Sequence, residues 1–577
     1  MRGYAFDYER EGGESGDGGD GSQPAAIDFA RLQNGSDVRG VASAEEECGI
    51  DWERSDAQCM NLTGDAAEAI GASYVEWLRD TDPGGGAGRM RQRGAGGVLR
   101  VAVGHDPRMT SEALMARIAR GMTSRGADVV EFGLATTPAM FTSTFTGLGV
   151  LEGEPADAAV MITASHLPPD RNGMKFFTPE GGLSSEDISE LLRRADAIHG
   201  GQYVFDTDQH VEGRLLAEDF MPAYAAQLVQ GVRGAVEAAT GVTNARPLEG
   251  FHVVVDASNG SGGFFEKSVL RPLGAKTDGS QFLDPDGNFP NHSPNPESAE
   301  AMLSLRDAVV AVGADLGIIF DTDVDRSGAI LADGTYLNKD RLIAALAAMA
   351  LRQNPGATIV TDSVTSTGLT QFITDKGGHH HRFKRGYKNV IDEAVRMNAA
   401  GEDVPIAIET SGHGAFRDNR WLDDGAYSAT RLLAQLALNG SVGDLIKDLQ
   451  EPAESFEFRL RVIAEDFVAQ GEEIVDALAK VARGDGGMEL GWDIELPNYE
   501  GVRCNVRSSD SGEVVGWFLL RMSLHDPQLV LNIQAGMPGG SHTIAATLLT
   551  QLQNVACVDS SSLGAFVHPP KARPDDS

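Results

Sequence analysis

Cysteine, positive charge and long apolar runs are all scarce in this sequence, and each shortage excludes something. Its four cysteines, Cys48, Cys59, Cys504 and Cys557, form no CxxC pair and no regular spacing in 577 residues. Neither a disulfide framework nor a thiolate zinc site is expected, and a reducing compartment fits best. With 48 basic against 84 acidic residues the formal charge is −36. That field repels nucleic acid and anionic membrane surfaces, so an anionic ligand must be met by a local basic pocket. No uninterrupted apolar stretch is long enough to cross a bilayer. The absence of a GK dipeptide removes the usual nucleotide P-loop, and the absence of GxSxG removes the nucleophile elbow of an α/β-hydrolase.

What is present is an ordinary globular composition, 41% hydrophobic and 23% charged, in a chain long enough for about four domains. Residues 1–26 are Gly-rich and acidic. They lack both a secretory apolar stretch and the acid-poor, Arg/Ser-rich character of a transit peptide, so a disordered tail is expected there. Beyond it, short apolar runs bounded by Gly, Pro and Asp alternate with helical stretches, the pattern of α/β layers. The expected division is three α/β domains at 27–217, 218–335 and 336–455, a smaller α+β domain at 456–565, and a disordered tail at 566–577. Strands are expected at Val98–Val103, Val129–Phe132, Ala158–Thr163, Phe251–Asp256, Leu316–Phe320, Thr358–Thr361 and Pro405–Ile408.

Two strand ends carry chemistry. In MITASHLPPDRNGMKFF a strand runs into a loop of small and polar residues holding Ser165, with His166 beside it and Lys175 ten residues on. An oxygen nucleophile with cationic neighbours is what phosphoryl transfer needs, whereas an isolated Ser-His would more simply be a turn serine. In LGIIFDTDVDRSG an apolar strand delivers Asp321, Asp323 and Asp325, followed by Arg326. Three carboxylates at alternate positions repel one another unless a cation relieves them, and an all-oxygen donor set suits Mg²⁺. A helix–loop–helix calcium site fails, because Arg326 and Ala332 stand where its glycine and its bidentate glutamate belong. The aspartyl-phosphate hydrolase loop DxDx[TV] is the nearer rival, with Asp321 as nucleophile, but it leaves Ser165 unexplained.

Two further strand ends suit ligand recognition. Glu409 and Ser411 in IAIETSGHG lie two apart, a spacing able to aim both at neighbouring sugar hydroxyls, and Arg521 with Ser523 in GWFLLRMSLHDP offers a guanidinium and a hydroxyl to a phosphate. The stretch HHHRFKRGYKN adds Arg382, Lys384, Arg385 and Lys388, a local basic cluster able to gather an anionic substrate. Its consecutive histidines read as a solvated loop rather than a metal site. Ser36, Arg39, His105 and Arg108 each read individually as structural.

Taken together, NGSDVRG, VGHDPRMTS, GLATTPAM, MITASHLPPDRNGMKFF, DTDVDR, ETSGHG and RMSLHDP resemble, in chain order, the phosphoglucomutase/phosphomannomutase superfamily over about residues 30–535. Phrases such as LQNGSDVRG, FKRGYKNVIDEA and WLDDGAY look closest to its plant and algal branch. The resemblance implies four domains around a cleft, each giving one functional loop. It implies a phosphorylated Ser165 whose phosphate shares a metal ion with Asp321, Asp323 and Asp325, followed by Arg326. Lys175, His166, Ser36 and Arg39 would be active-site contacts, Glu409 and Ser411 the sugar-hydroxyl pair, and Arg521 with Ser523 the phosphate clamp. Two departures stand out. Leu524, His525 and Asp526 replace the family's Asn-Thr-Glu, leaving His525 as the side-chain donor, and Tyr387 stands where many members carry histidine.

The expected activity is interconversion of hexose 1- and 6-phosphates, glucose or mannose phosphate, with Mg²⁺ and a hexose 1,6-bisphosphate as intermediate and activator. Hexose phosphates are then the partners, with no nucleic acid, membrane or required protein partner. The expected compartment is the cytoplasm, or the plastid stroma if the N-terminus is incomplete. The alternatives are a non-catalytic sugar-phosphate-binding homologue and an aspartate-dependent phosphatase.

Overall fold

The computed structural model describes residues 27–42, 60–81, 98–201, 212–508, 511–523, 526–553, 555 and 557–569. The expected tail at 1–26 lies outside them, as do Leu524 and His525 and most of the expected tail at 566–577. The last helix, Ser561–Val567, runs past the start of that second tail and buries Val567. Among the described residues no helix is long and apolar enough to cross a membrane.

Four sheets organise the described residues. The first contains β1 (Gln33–Asn34), β2 (Asp37–Val41), β3 (Arg100–His105), β4 (Asp128–Leu134), β5 (Ala158–Ile162), β6 (Arg171–Thr178), β7 (Gly181–Gly182) and β8 (Leu215–Ala217), in the order β1-β2-β6-β5-β3-β4-β8 with β7 beside β6. Strand β5 is buried at every position, which is why an uninterrupted apolar run serves it better than an alternating one. Helices Gly64–Thr81, Ser111–Thr123 and Ser185–His199 pack with it. The last of these starts at a capping box between Ser184 and Asp187.

The second sheet has β9 (Val253–Asp256), β10 (Leu316–Phe320), β11 (Ser327–Leu331) and β12 (Tyr336–Leu337). The third has β13 (Thr358–Thr361), β14 (His379–Arg382), β15 (Ile406–Ile408) and β16 (Gly414–Phe416). In both, parallel pairing gives way to an antiparallel partner after the functional loop. The fourth is antiparallel throughout: β17 (Glu454–Val462), β18 (Trp492–Ile494), β19 (Val502–Arg507), β20 (Val514–Met522), β21 (Gln528–Ala535) and β22 (Val558–Asp559), with helices Phe467–Arg483 and Gly540–Leu552. The architecture is three α/β domains and a C-terminal α+β domain.

One expectation needs correction. His379–Arg382 is no solvated loop but the edge strand β14, parallel to β13. The His380 ring lies 2.7 Å from Thr361 Oγ1 and 2.8 Å from Thr370 Oγ1, so its polarity is satisfied inside the fold. The segment after β9 is helical, as a 3-10 turn at Ser261–Gly263, a π turn at Glu266–Leu270 and a short α turn at Arg271–Leu273. Pro272 lacks a backbone donor there.

Candidate active site

One local plan recurs four times. β5 leads through 163–170 into β6, β10 through 321–326 into β11, β15 through 409–413 into β16, and β20 through 523–527 into β21, each pair antiparallel. The first three of these loops carry Ser165, His166, the three aspartates, Arg326, Glu409 and Ser411.

Ser165 sits in the first loop at φ 52°, a conformation costly for a residue with a Cβ, and its amide donates to Thr163 Oγ1 at 2.9 Å. Its hydroxyl donates to Asp321 Oδ2 at 2.9 Å and accepts from the Arg326 guanidinium at 3.1 Å, with His166 Nδ1 3.4 Å away. Arg326 in turn donates to Asp321 through its side chain at 3.0 Å and its amide at 3.2 Å. The nearby Arg326 charge, reinforced by burial, holds the His166 imidazole well below its usual range, so it is neutral.

Asp321, Asp323 and Asp325 are buried, with one oxygen from each within 4.8 Å of the others. Lys175 Nζ donates to Asp323 Oδ2 at 3.0 Å and to Asp325 Oδ2. Thr137 donates its hydroxyl to Asp323 Oδ2 and its amide to the Asp323 carbonyl at 2.9 Å. Asp323 Oδ1 and Asp325 Oδ1 are left buried without a hydrogen-bond partner. Orphaned carboxylate oxygens converging in a dry site, with oxygen as the only donor type, fit a hard divalent cation. Burial drives the Asp321 carboxyl up to about 7, against the pull of Arg326. Burial alone would raise Asp325 and lower Lys175. Instead Lys175, His413 and Arg326 together outweigh burial at Asp325 and hold it below its usual range, while Asp323 and Asp325 help keep the Lys175 ammonium well above its own.

The loop after β15 closes on this centre. Gly412 has φ 98°, and a Cβ there would stand 2.7 Å from the Ser327 carbonyl, so only glycine lets this loop touch β11. His413 Nδ1 lies 2.6 Å from Asp423 Oδ2 and 3.9 Å from Asp325 Oδ1; burial opposes its charge, but the two carboxylates push it up to about 9. Glu409 accepts from the Gly386 amide at 2.7 Å and from Ser411 Oγ at 3.2 Å. A cleft of about 1640 Å³ is lined by Ser36, Arg39, Ser165, His166 and Lys175 together with Tyr387.

Arg521 and Ser523, expected to clamp a phosphate, are not among the residues that line this cleft. Arg521 is buried, donates to the Met522 carbonyl at 3.2 Å and lies 3.8 Å from Glu500. Ser523 Oγ accepts from the Asp526 amide at 3.2 Å, and Asp526 reaches the cleft lining. The basic cluster is also less free than its sequence implies. Arg382 pairs with Glu495 at 2.8 Å and Lys388 with Asp392 at 3.0 Å, while Lys384 and Lys388 both line the cleft.

Sequence reasoning missed Tyr387 as a working residue. Its phenol donates to Asp37 Oδ1 at 3.2 Å, lies 3.4 Å from Ser36 Oγ, stacks on His413 at 5.0 Å and has Lys175 Nζ 5.8 Å from its ring centre. Asp37 and Asp423 were missed as well, although both stand in quoted phrases, NGSDVRG and WLDDGAY. Asp37 holds Arg39 at 2.8 Å.

Models of the phosphoglucomutase/phosphomannomutase alpha/beta/alpha domains I, II and III match residues 31–199, 226–334 and 338–453. The phosphomannomutase/phosphoglucomutase of Pseudomonas syringae pv. tomato is 31% identical over 460 residues, 79% of this chain and 87% of the relative. The phosphoglucomutase of Neisseria gonorrhoeae is 30% identical over 445 residues, 76% of this chain and 85% of the relative. A solved phosphoglucomutase/phosphomannomutase family structure from Burkholderia thailandensis has a TM-score of 0.71 at 26% identity, covering 92% of this chain and 100% of that one. These relatives are bacterial and carry no argument for a plant or algal branch.

Proposed function

Since the chain belongs to the phosphoglucomutase/phosphomannomutase family and is a phosphohexomutase, an intramolecular phosphotransferase, we propose that a phosphorylated Ser165 interconverts the 1- and 6-phosphates of glucose and mannose through a bound hexose 1,6-bisphosphate. The observation that carries this reading is the Ser165 hydroxyl held between Asp321 and Arg326, at 2.9 and 3.1 Å.

The donor step breaks the bond between phosphorus and Ser165 Oγ and forms one to the free sugar hydroxyl. Arg326 steadies the serine oxygen as charge builds on it, and the hydroxyl proton passes to a nearby base. His166, neutral and adjacent to Ser165, is the proposed acceptor, while Lys175 remains an ammonium that offsets phosphoryl charge. The second half runs the steps in reverse after the bisphosphate turns over, returning the other phosphate to Ser165. Glu409 and Ser411 would grip sugar hydroxyls, with Ser36 and Arg39 facing them. Arg521, Ser523 and His525 would hold the phosphate that is not reacting.

Asp321, Asp323 and Asp325, together with a phosphate oxygen on Ser165, would hold Mg²⁺, which when bound neutralises charge on the transferring phosphoryl group. The same reading sets the activity in the cytoplasm, where the free thiols of Cys504 and Cys557 stay reduced.

The test is peptide mapping of the stable phosphate combined with coupled assays on glucose, mannose and glucosamine phosphates with a bisphosphate activator. A hydroxylamine-resistant phosphate on Ser165 and isomerisation abolished by Ser165→Ala are expected. A hydroxylamine-labile phosphate on Asp321 would overturn the reading, as would sugar-phosphate binding without turnover.

A further inference from the structure

The Ser165 loop carries a strained backbone and turns several carbonyls toward the protein interior. What meets them is the side chain of Arg108, wholly buried at the end of β3. Its Nε donates to Asp106 Oδ2 at 3.1 Å. One terminal nitrogen donates to the carbonyls of Ser165 and Leu167 at 2.5 and 2.6 Å, the other to those of Pro168 and Arg171 at 2.7 and 2.9 Å. A guanidinium has five N–H donors in a fixed fork, and here each has an acceptor, three of them along the serine loop and a fourth at the first residue of β6. Asp106 completes the frame: it accepts from Ser111 Oγ at 2.8 Å and from Thr163 Oγ1 at 2.7 Å, and Thr163 Oγ1 accepts the Ser165 amide at 2.9 Å.

We propose that Arg108 is a positioning residue for phosphoryl transfer, holding the Ser165 loop in the one conformation that presents Oγ to Asp321 and Arg326. This rests on the role proposed above for Ser165. The frame also joins the serine loop to the second sheet's domain. The Phe289 ring lies 5.2 Å from the Arg108 guanidinium carbon, and Gly287 packs so closely that a Cβ would meet the Pro107 carbonyl, the Met109 amide and Arg108 Cα at 2.5, 2.7 and 2.8 Å. That domain also supplies Asp321. Arg108 therefore ties the nucleophile to the body that carries its partners. Lysine cannot substitute, because its three donors radiate from a single atom and cannot reach four carbonyls and a carboxylate.

The experiment compares Arg108→Lys and Gly287→Ala with wild type in steady-state assays on glucose 1-phosphate and mannose 1-phosphate with glucose 1,6-bisphosphate, alongside thermal unfolding. Misplacing a nucleophile by about 1 Å costs roughly 100-fold in rate. Arg108→Lys should therefore lose about 100-fold in kcat with KM within about threefold, in protein that is folded at the assay temperature. Gly287→Ala, outside the cleft, should move kcat in the same direction, and it decides the matter if Arg108→Lys does not fold. Retained kcat in both variants, or a loss shared equally with KM or matching the unfolded fraction, overturns the inference. A wild type that binds these sugars without turnover overturns the mutase reading instead.

Discussion

Ser165 Oγ and Asp321 Oδ2 stand 2.9 Å apart although 156 residues separate them in the chain. The pair joins the first two α/β domains at the proposed reacting atom, so neither the serine loop nor the aspartate loop would be a complete site alone. The orphaned oxygens of Asp323 and Asp325 extend the same centre.

Metal dependence follows from those orphans. Chelation should abolish mutase activity and added Mg²⁺ should restore it. Asp323→Asn, which removes one converging charge, should raise the Mg²⁺ concentration for half-maximal activity by about tenfold or more. A metal titration of activity checks this, and an unchanged midpoint would assign the orphaned oxygens no part in metal binding.

How much of this was legible beforehand differs from loop to loop. Ser165 and the three aspartates were, because each follows an apolar strand and their chemistry is compressed into a few residues. Tyr387 was noticed only as a departure, since its phenol meets Ser36 and Asp37 across some 350 residues. Arg108 read as structural because nothing in GHDPR shows that its fork will meet a loop some 60 residues on. β14 was misread because three consecutive histidines look solvated until Thr361 and Thr370 are placed beside His380. Local chemistry is written in sequence; convergence is written in topology.

Proton handling separates His166 from Lys175. His166 is held neutral well below its usual range, whereas Lys175 is held charged. His166→Gln should therefore lower kcat by about 10²-fold and flatten the acid limb of the pH–rate profile. Lys175→Met should lower kcat without removing that limb. Profiles of kcat against pH decide the assignment, and an acid limb that survives in His166→Gln would move the base elsewhere.

Tyr387 should govern how the cleft receives substrate. Tyr387→Phe deletes the hydroxyl that meets Asp37, which itself holds Arg39, while keeping the stack on His413. The expected result is a several-fold rise in KM with kcat changed less, from loss of about 1 kcal/mol of hydrogen bonding. Steady-state kinetics of Tyr387→Phe on glucose and mannose phosphates tests this, and a change confined to kcat would contradict it.

The C-terminal domain is anchored by Arg503. Its guanidinium is buried 3.6 Å over the Trp517 ring and donates to the Ser363 and Thr365 carbonyls at 2.9 and 3.0 Å and to Glu495 at 3.0 Å. Arg503→Met should leave the Ser363 and Thr365 carbonyls unpaired, with Glu495 still held by Arg382, and destabilise this seam by about 1–3 kcal/mol. Hydrogen exchange should accelerate in β19 and β20 before it does in β5 or β10.

Asp424 supplies one separable part of the dependence of stability on pH. It is buried, accepts from Tyr224 at 2.7 Å and from the Tyr427 amide at 2.8 Å, and burial outweighs both bonds to push it up to about 7. An unfolded aspartate titrates near 3.9. Between those values the folded state binds the proton and the unfolded state does not, so this group's contribution to stability declines as pH rises from about 4 to about 7. Below about 4 both states are protonated, and above about 7 both are ionised, with the burial penalty fully expressed. Asp424→Asn keeps an acceptor for Tyr224 but never ionises. Its stability relative to wild type should therefore climb across that window and then level off, by a few kcal/mol at most. Asp321 and Asp362 are also pushed up to about 7 by burial, but both remain in the variant. The difference between the two denaturation midpoints thus isolates Asp424, and a difference independent of pH would show that its carboxyl titrates as it does in the unfolded chain.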